Sequence, residues 1–306
     1  MSATARLDVP VEGGTLATYR LGGGQSESAP VLAVHGITAN SHAWLAVARE
    51  LAARASLLAV DLRGRAASSG LPGPYGMEAY TRDMLAVLDH CGIERAVLVG
   101  HSLGAYVVAR LAADHPERVH AAVLVDGGLT SPGIQDVDPE AFLAAFLGPA
   151  LARLALTFAD REAYHDWWRV HPALAGSDVI DSDLTAYADH DLGGEAPELH
   201  STVAKDAVRA DANELFEMGK PAHRLTVLVE MLRAPRGLQN EPTPMIAPEL
   251  AAAWVSAAPD RRRASAVPDV NHYTIVMGQA GARAVAQAIV HALQTPADDP
   301  ALRSAR

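Results

Sequence analysis

Short apolar runs rich in valine, leucine and alanine alternate with longer segments of helical pattern along most of this chain. That alternation is typical of a mostly parallel β-sheet, because parallel neighbours need crossover helices, which then cover both faces of the sheet. The apolar runs predict strands at 15–21, 31–35, 57–61, 96–100, 121–126, 224–230 and 263–267. Helices are predicted at about 41–54, 77–91, 102–115, 248–257 and 280–293.

The strand pattern stops after Gly128 and returns near residue 223. In between, helical stretches at 142–158, 162–170 and 184–189 are separated by prolines and glycines. We therefore predict an α/β core formed by residues 1–130 and 223–295, which is interrupted by a helical insertion at 131–222. Residues 296–306 are predicted to form a frayed tail.

The charge balance limits the partners of the chain. Its 36 acidic side chains against 25 lysines and arginines give a net charge of -11, which argues against non-specific binding to nucleic acid or an anionic membrane. No run reaches the roughly 18 apolar residues of a membrane span, and the N-terminus lacks a charged-then-apolar leader pattern. We expect a cytoplasmic protein, and a homo-oligomer is compatible with the sequence.

Cysteine and metal-binding patterns are sparse. The single cysteine, Cys91, lies in an apolar helical stretch and is predicted to be a buried structural thiol. The sequence contains no Cys/His cluster, calcium-binding loop or glycine-rich nucleotide loop, so we expect neither a metal nor an organic cofactor. A small molecule is the expected substrate.

The segment Gly100-His101-Ser102-Leu103-Gly104 directly follows an apolar strand and opens a helix. This context is what the pattern G-x-S-x-G needs to form a nucleophile elbow. A serine at the tip of such a turn has strained backbone angles, so small residues must lie two positions before and after it. The turn exposes the serine Oγ above the sheet, beside the positive end of the helix. We predict that Ser102 is a nucleophile; the alternative is an ordinary glycine-rich turn.

A serine needs a base to take its proton. His272 follows the last predicted strand and a short loop, and it precedes the final helix. This is the place of the base in the chain order Ser, acid, His, so we predict that role for His272. His35 is expected to be structural, and His101 is expected to point away from the site.

The carboxylate that orients the base has three candidates. The common position, directly after the strand at 224–230, holds no acidic residue before Glu241. Asp126 instead ends the preceding strand, from which a carboxylate can reach the Nδ1–H of the histidine. We predict Asp126, ahead of Glu241, with Glu230 a weaker candidate because it lies within a strand. The alternative for Asp126 is a turn-forming role before two glycines.

An oxyanion hole needs two backbone N–H groups aimed at the developing negative charge. One is predicted to come from Leu103, the residue after the nucleophile. The other is predicted to come from Ile37, in the loop after the strand at 31–35, where Gly36 allows close approach to the substrate. The alternative is that His35-Gly36 is merely a turn.

The chain as a whole resembles the α/β-hydrolase fold family over about residues 5–295. The resemblance rests on His35-Gly36 after one strand, Asp61-Leu62-Arg63-Gly64-Arg65 after the next, the pentapeptide around Ser102, and Asn271-His272-Tyr273. It implies a mostly parallel central sheet flanked by helices, with a lid domain inserted after the sixth strand, where the helical insertion of this chain lies. In that family the Asp-x-Arg-Gly segment is structural and not catalytic.

The sequence departs from the family pattern because it has no acid after the seventh strand. Relatives that place the acid after the sixth strand include some lipases and the fungal zearalenone-type lactonases, so lactone hydrolysis is a candidate activity. A serine nucleophile argues against the epoxide hydrolases and haloalkane dehalogenases of this fold, which use aspartate there.

Aromatic side chains are concentrated in the predicted insertion. Trp167 and Trp168 are adjacent, and we predict that they bind a largely apolar substrate. The alternative is that the aromatic residues simply pack the insertion against the core. The others are Phe142, Phe146, Phe158, Tyr164 and His165.

These residues together predict a cofactor-independent serine hydrolase that cleaves a carboxylic ester or lactone through an acyl-enzyme. Two alternatives stay open. The same triad could cleave a carbon–carbon bond of a dicarbonyl compound, or a peptide bond. The chain could also be a non-catalytic ligand-binding or scaffold member of the fold.

Overall fold

The computed structural model describes residues 5–22, 30–52, 54–130, 138, 148, 151–214 and 217–295. Within these ranges the strands are β1 (Ala5–Val11), β2 (Gly14–Leu21), β3 (Val31–Val34), β4 (Leu57–Val60), β5 (Ala96–His101), β6 (Val119–Val125), β7 (Leu192–Gly193), β8 (His200–Ser201), β9 (Leu228–Arg233) and β10 (Arg262–Ala266). The helices are α1 (Leu45–Leu51), α2 (Met77–His90), α3 (Leu103–Asp114), α4 (Arg161–Arg169), α5 (Asp181–Asp191), α6 (Lys205–Asn213), α7 (Pro248–Ser256), α8 (Thr274–Met277) and α9 (Gln279–Gln294). None of the helices in these ranges is both long enough and apolar enough to cross a membrane.

A central sheet organises the chain, with strand order β1-β2-β4-β3-β5-β6-β9-β10. The pairs β1·β2 and β2·β4 are antiparallel, whereas every pair from β4 to β10 is parallel. The parallel strands therefore end at the same edge of the sheet, and this edge carries the loops after β3, β5, β6, β9 and β10. The predicted fold class, a mostly parallel sheet flanked by helices, is confirmed.

The central strands are buried on both faces, which explains their continuous apolar runs. In β3, Val31 and Ala33 belong to the apolar core on one face, with residues of α1 and α9. Leu32 and Val34 belong to the core on the other face, with residues of α2 and α3. Successive side chains of a strand point to opposite faces, so a strand between two helical layers needs no polar alternation.

Several elements differ from the sequence prediction, among them the short helices α6 and α8, which were not predicted. β1 was not predicted, because it is an edge strand with mostly exposed residues, and Arg6, Asp8 and Pro10 interrupt its apolar residues. The strand predicted at 224–230 is shifted to β9, because Lys220–His223 forms a short 3-10 helix with Arg224 as its C-cap. The insertion also contains a strand pair, β7 with β8, where only helices were predicted.

The segment between β6 and β9 contains α4, α5 and α6. The first two agree with the helices predicted at 162–170 and 184–189. Most of the helix predicted at 142–158 lies outside the described residues, as do Phe142, Phe146 and the tail at 296–306. The division of the chain into a core and a lid at 131–222 stays a prediction.

A buried histidine joins the ends of β3 and β4. The His35 Nδ1–H donates to the carbonyl oxygen of Gly36 over 2.7 Å, and its Nε2 accepts from the Leu62 N–H over 3.0 Å. Burial lowers the pKa of His35 to about 4. A proton on Nε2 would oppose the Leu62 N–H, so this contact requires the neutral ring. The structural role expected for His35 agrees with these contacts.

Three histidine rings that stay neutral in the folded protein predict that the folded state loses stability in mild acid. Burial lowers the pKa of His35, His42 and His171 to about 4, from a usual value of 6.5. Between these two values the unfolded chain binds protons on these rings and the folded chain does not, so the free energy of unfolding falls as the pH falls through this window. Each ring is expected to contribute a loss of about 2 kcal/mol between pH 7 and pH 5, measured by urea unfolding.

In the variant His42→Asn the free energy of unfolding is expected to depend less steeply on pH. The difference corresponds to about one proton fewer taken up on unfolding, because the variant lacks one of the three neutral rings. His90→Asn is the matched control, since His90 is exposed on α2. An identical pH dependence in wild type and His42→Asn would contradict the assignment.

Candidate active site

Ser102 lies at the junction of β5 and α3 with φ 54° and ψ -120°. Positive φ is strained for a residue with a side chain, and such strain concentrates at functional sites. The glycines of the pentapeptide make the turn feasible: a Cβ on Gly104 would overlap the carbonyl oxygen of Val34, and one on Gly100 would overlap that of Gly104. The local sequence therefore forms the sharp strand-to-helix turn that was predicted.

Asp126 and His272 form a buried hydrogen-bonded pair. The Nδ1–H of His272 donates to Oδ2 of Asp126 over 2.7 Å, and the two side chains are only 4% and 0% exposed. The other carboxylate oxygen, Oδ1, accepts from the Ala234 N–H over 2.9 Å. Because a carboxylate only accepts, the imidazole proton lies on Nδ1 and leaves Nε2 free to act as a base.

The other two acid candidates lie elsewhere. Oε2 of Glu241 accepts from the Gln239 N–H within its own exposed loop. Oε2 of Glu230 lies 3.2 Å from Nδ1 of His291, on α9. Of the three carboxylates, only that of Asp126 is joined to His272 in the described part of the chain.

The loop that carries His272 is anchored by Asn271. The side-chain oxygen of Asn271 accepts from the N–H groups of Tyr273 and Thr274, and its amide donates to the carbonyl oxygen of Ala173 over 2.8 Å. These bonds cap the start of α8 and tie the loop to the segment between β6 and β9. The position of His272 therefore depends on its own loop and on the segment between β6 and β9.

Ser102 and His272 line one cleft at the carboxyl edge of the sheet. No hydrogen bond joins Ser102 Oγ to the imidazole among the described residues, and such catalytic contacts are often long until a substrate is bound. The cleft lining consists mostly of small and apolar side chains. Its other described members are Gly36, Ile37, Thr38, Ala39, His101, Tyr187, Leu238, Met245 and Tyr273.

The loop after β3 presents a free backbone donor. The carbonyl oxygen of Gly36 accepts from the His35 ring over 2.7 Å and from the Ala39 N–H over 3.2 Å. In a trans peptide the N–H points opposite to the carbonyl, so the Ile37 N–H is directed away from the His35 ring. Neither this N–H nor that of Leu103, the first residue of α3, donates to an acceptor within the described ranges.

Two buried guanidinium groups bond to the loop after β3. Arg65 Nε donates to the carbonyl oxygen of Ile37 over 3.0 Å, and Arg153 donates to that of Thr38 over 3.0 Å. Each guanidinium is paired with a buried aspartate of the segment between β6 and β9: Arg65 with Asp211 and Arg153 with Asp191. Sequence reasoning missed both pairs, because residues far apart in the chain gave no local signal.

His101 contacts the base directly. Its Nε2–H donates to the backbone carbonyl oxygen of His272 over 2.8 Å, and the centroids of the two rings lie 4.6 Å apart. Burial and the nearby His272 ring keep the pKa of His101 well below its usual value, so the ring is neutral. The expectation that His101 points away from the site was wrong.

The two adjacent tryptophans do not belong to the described cleft lining. Trp168 is 2% exposed, packs in the core, and contacts the rings of Tyr187 and Tyr273, which do line the cleft. Trp167 is partly buried and packs edge-on against Trp168. Packing therefore accounts for both side chains in this structure, and direct contact with a substrate stays a prediction.

No group of three or more His, Cys, Asp or Glu side chains is arranged to hold a metal ion within the described ranges. The cleft itself contributes only the imidazoles of His101 and His272 as metal-binding groups. Nδ1 of His272 is occupied by Asp126.

Part of the sequence is similar to that of a known family and of several known proteins. Residues 29–184 match the sequence model of the family described as alpha/beta hydrolase fold. Lipase LipV of Mycobacterium tuberculosis (strain ATCC 25618 / H37Rv) is 33% identical over 165 residues, which cover 53% of this chain and 58% of LipV. RutD of Klebsiella pneumoniae (strain 342), named provisionally as a carbamate hydrolase, is 40% identical over 104 residues, which cover 33% of this chain and 39% of RutD. The match thus spans less than two thirds of either relative.

Solved structures extend the likeness over nearly the whole chain. The crystal structure of E-2-(acetamidomethylene)succinate hydrolase covers 96% of this chain and 100% of its own, with a TM-score of 0.77 and 22% identity. The thioesterase domain from the curacin biosynthetic pathway covers 95% of this chain and 100% of its own, with a TM-score of 0.72 and 18% identity. At these identities the likeness shows the fold alone. The family match across residues 29–184, which is half of the chain, shows that the chain belongs to the α/β-hydrolase fold family.

Proposed function

We propose that this protein is a serine hydrolase that cleaves a carboxylic ester or lactone through an acyl-enzyme on Ser102. The observation that carries the proposal is the buried hydrogen bond of 2.7 Å between His272 and Asp126, at a cleft that Ser102 also lines. This bond fixes the tautomer in which Nε2 accepts a proton. The strained turn at Ser102 supports the nucleophile role.

In the first half-reaction, Nε2 of His272 takes the proton of Ser102 as Oγ bonds to the substrate carbonyl carbon. The N–H groups of Ile37 and Leu103 bind the resulting oxyanion, and Asp126 stabilises the imidazolium. When the tetrahedral intermediate collapses, the carbon–oxygen bond to the leaving group breaks. The imidazolium protonates the departing oxygen, so an alcohol leaves and the acyl group stays on Ser102.

In the second half-reaction, His272 takes a proton from water while the water oxygen bonds to the acyl carbon. The oxyanion is again bound by the two backbone donors. Collapse breaks the bond to Oγ, the proton on His272 returns to Ser102, and the carboxylic acid is released. With a lactone, the alcohol and the acid belong to one product.

The described lining supports a neutral, largely apolar acyl group. Ile37, Ala39, Leu238 and Met245 are apolar, and no lysine, arginine, aspartate or glutamate is among the described lining residues. Burying an unpaired charge in such a cleft would be costly. We further propose that residues 131–222 form a lid over the site, with Trp167 and Trp168 shaping the cleft from behind its tyrosines.

The identity of the acid gives the first kinetic prediction. Asp126→Asn is expected to lower kcat by about 10⁴-fold, because an asparagine favours the wrong imidazole tautomer. Glu241→Gln, the matched control, is expected to change kcat little, because its carboxylate bonds only within its own loop. Steady-state hydrolysis of an aryl ester measures both variants, and the reverse ranking would move the acid to Glu241.

The nucleophile can be tested without knowing the natural substrate. A fluorophosphonate probe is expected to label wild-type protein at neutral pH and to leave Ser102→Ala unlabelled, since only an activated serine attacks the phosphorus. Peptide mapping locates the adduct. Absence of labelling in folded wild-type protein would favour a non-catalytic member of the fold.

The bond that is cleaved gives a third prediction. Aryl esters and lactones are expected to show a higher kcat/KM than the anilide of the same acyl group or a dicarbonyl compound of similar size. In the proposed mechanism the group that leaves is an alcohol, and the described cleft has apolar walls that suit a neutral ester. Faster turnover of the anilide or of the dicarbonyl compound would favour peptide or carbon–carbon cleavage on the same triad.

A further inference from the structure

Two tyrosine hydroxyl groups at the cleft have no protein partner in the described ranges. Tyr187 comes from α5, and Tyr273 directly follows His272; both line the cleft with Ser102. Two other tyrosines are paired: Tyr106 donates to the carbonyl oxygen of Leu129 over 2.8 Å, and Tyr164 donates to Asp191 over 2.7 Å. The hydroxyls of Tyr187 and Tyr273 differ from these two because they lack a protein partner in the described ranges.

The hydroxyl of Tyr187 keeps some solvent-accessible surface. Tyr187 is only 2% exposed as a residue, and it packs edge-on against Trp168. Its hydroxyl oxygen is nonetheless not fully buried, whereas the indole nitrogen of Trp168 is fully buried and has no hydrogen-bond partner in the described ranges. An accessible hydroxyl without a described protein partner therefore belongs to a residue that lines the cleft. A polar group left unpaired at such a place favours a ligand that pairs it.

Both hydroxyls act as neutral donors. Burial raises the pKa of Tyr187 well above its usual value and also raises that of Tyr273, so each keeps its proton. The guanidinium of Arg153 lies 5.0 Å from the ring centroid of Trp168, which contacts both tyrosine rings, and its positive charge lowers the pKa of both hydroxyls against the effect of burial. That charge is already balanced by Asp191, and the guanidinium also bonds to Tyr164 and to Thr38.

We propose that the hydroxyls of Tyr187 and Tyr273 bind a second oxygen of the substrate, a neutral acceptor such as a ketone or amide carbonyl, in addition to the carbonyl that Ser102 attacks. This inference rests on the proposed ester hydrolysis and defines its substrate class as oxygenated acyl compounds. A carboxylate is disfavoured at this subsite, because the described lining supplies no lysine or arginine to pair with it.

The test compares two aryl esters of equal chain length, p-nitrophenyl 4-oxopentanoate and p-nitrophenyl pentanoate. The wild type is expected to prefer the keto ester in kcat/KM. Tyr187→Phe and Tyr273→Phe are each expected to lower this preference by about 3- to 10-fold, as expected for a neutral hydrogen bond, and the double variant is expected to abolish it. Tyr75→Phe is the control, since its hydroxyl bonds to the carbonyl oxygen of Leu71 outside the cleft.

A preference that is equal in wild type and both variants would overturn the proposal, even if both esters react more slowly, since a structural role lowers the two rates together. Failure of the proposed hydrolysis is recognised separately, because neither ester would then be turned over. In that event calorimetry on Ser102→Ala compares binding of the anilides of the same two acids. A preference for the keto anilide that is lost in Tyr187→Phe supports the subsite, and equal affinities overturn it.

Discussion

The hydrogen bond between Asp126 and His272 is the interaction on which the candidate site depends. Asp126 follows β6 directly with φ 46°, and its own N–H donates to the carbonyl oxygen of Leu232 over 2.7 Å. Its two carboxylate oxygens are divided between the Ala234 N–H and the imidazole. The carboxylate is thus fixed by β9, the neighbouring strand, and in the proposed mechanism it transmits that rigidity to the base. His101 holds the backbone of the same residue, because its Nε2–H donates to the carbonyl oxygen of His272.

The loop after β3, which carries the proposed oxyanion donor Ile37, is bonded both to the core and to the segment between β6 and β9. Arg65 and Arg153 each hold one carbonyl of the loop, and each is neutralised by an aspartate from the segment between β6 and β9. Breaking a buried pair of this kind leaves an uncompensated charge, which is strongly destabilising. The acidic side chains of α5 and α6 therefore help to hold the loop that carries Ile37, one of the two proposed oxyanion donors.

Sequence reasoning succeeded where a local turn or the general geometry of parallel strands decides the outcome. The strand-to-helix turn at Ser102 is dictated by its flanking glycines, and the ends of parallel strands meet at one edge, which explains why Asp126 and His272 lie together. It failed where a short irregular helix or a specific contact between distant residues decides the outcome. The shift of β9 depends on a short 3-10 helix, the role of His101 depends on a carbonyl 171 positions away, and the burial of Trp168 depends on how the inserted segment packs. No periodicity in the chain encodes those contacts.

The tautomer of His272 tests the central claim most directly. Nitrogen-15 NMR of histidine-labelled protein at neutral pH, with the His272 signals identified by their loss in His272→Gln, reports which ring nitrogen carries the proton. We expect a proton on Nδ1, whose signal the carboxylate of Asp126 shifts strongly downfield, and a changed signal in Asp126→Asn. A proton on Nε2, or a spectrum unaltered by Asp126→Asn, would contradict it.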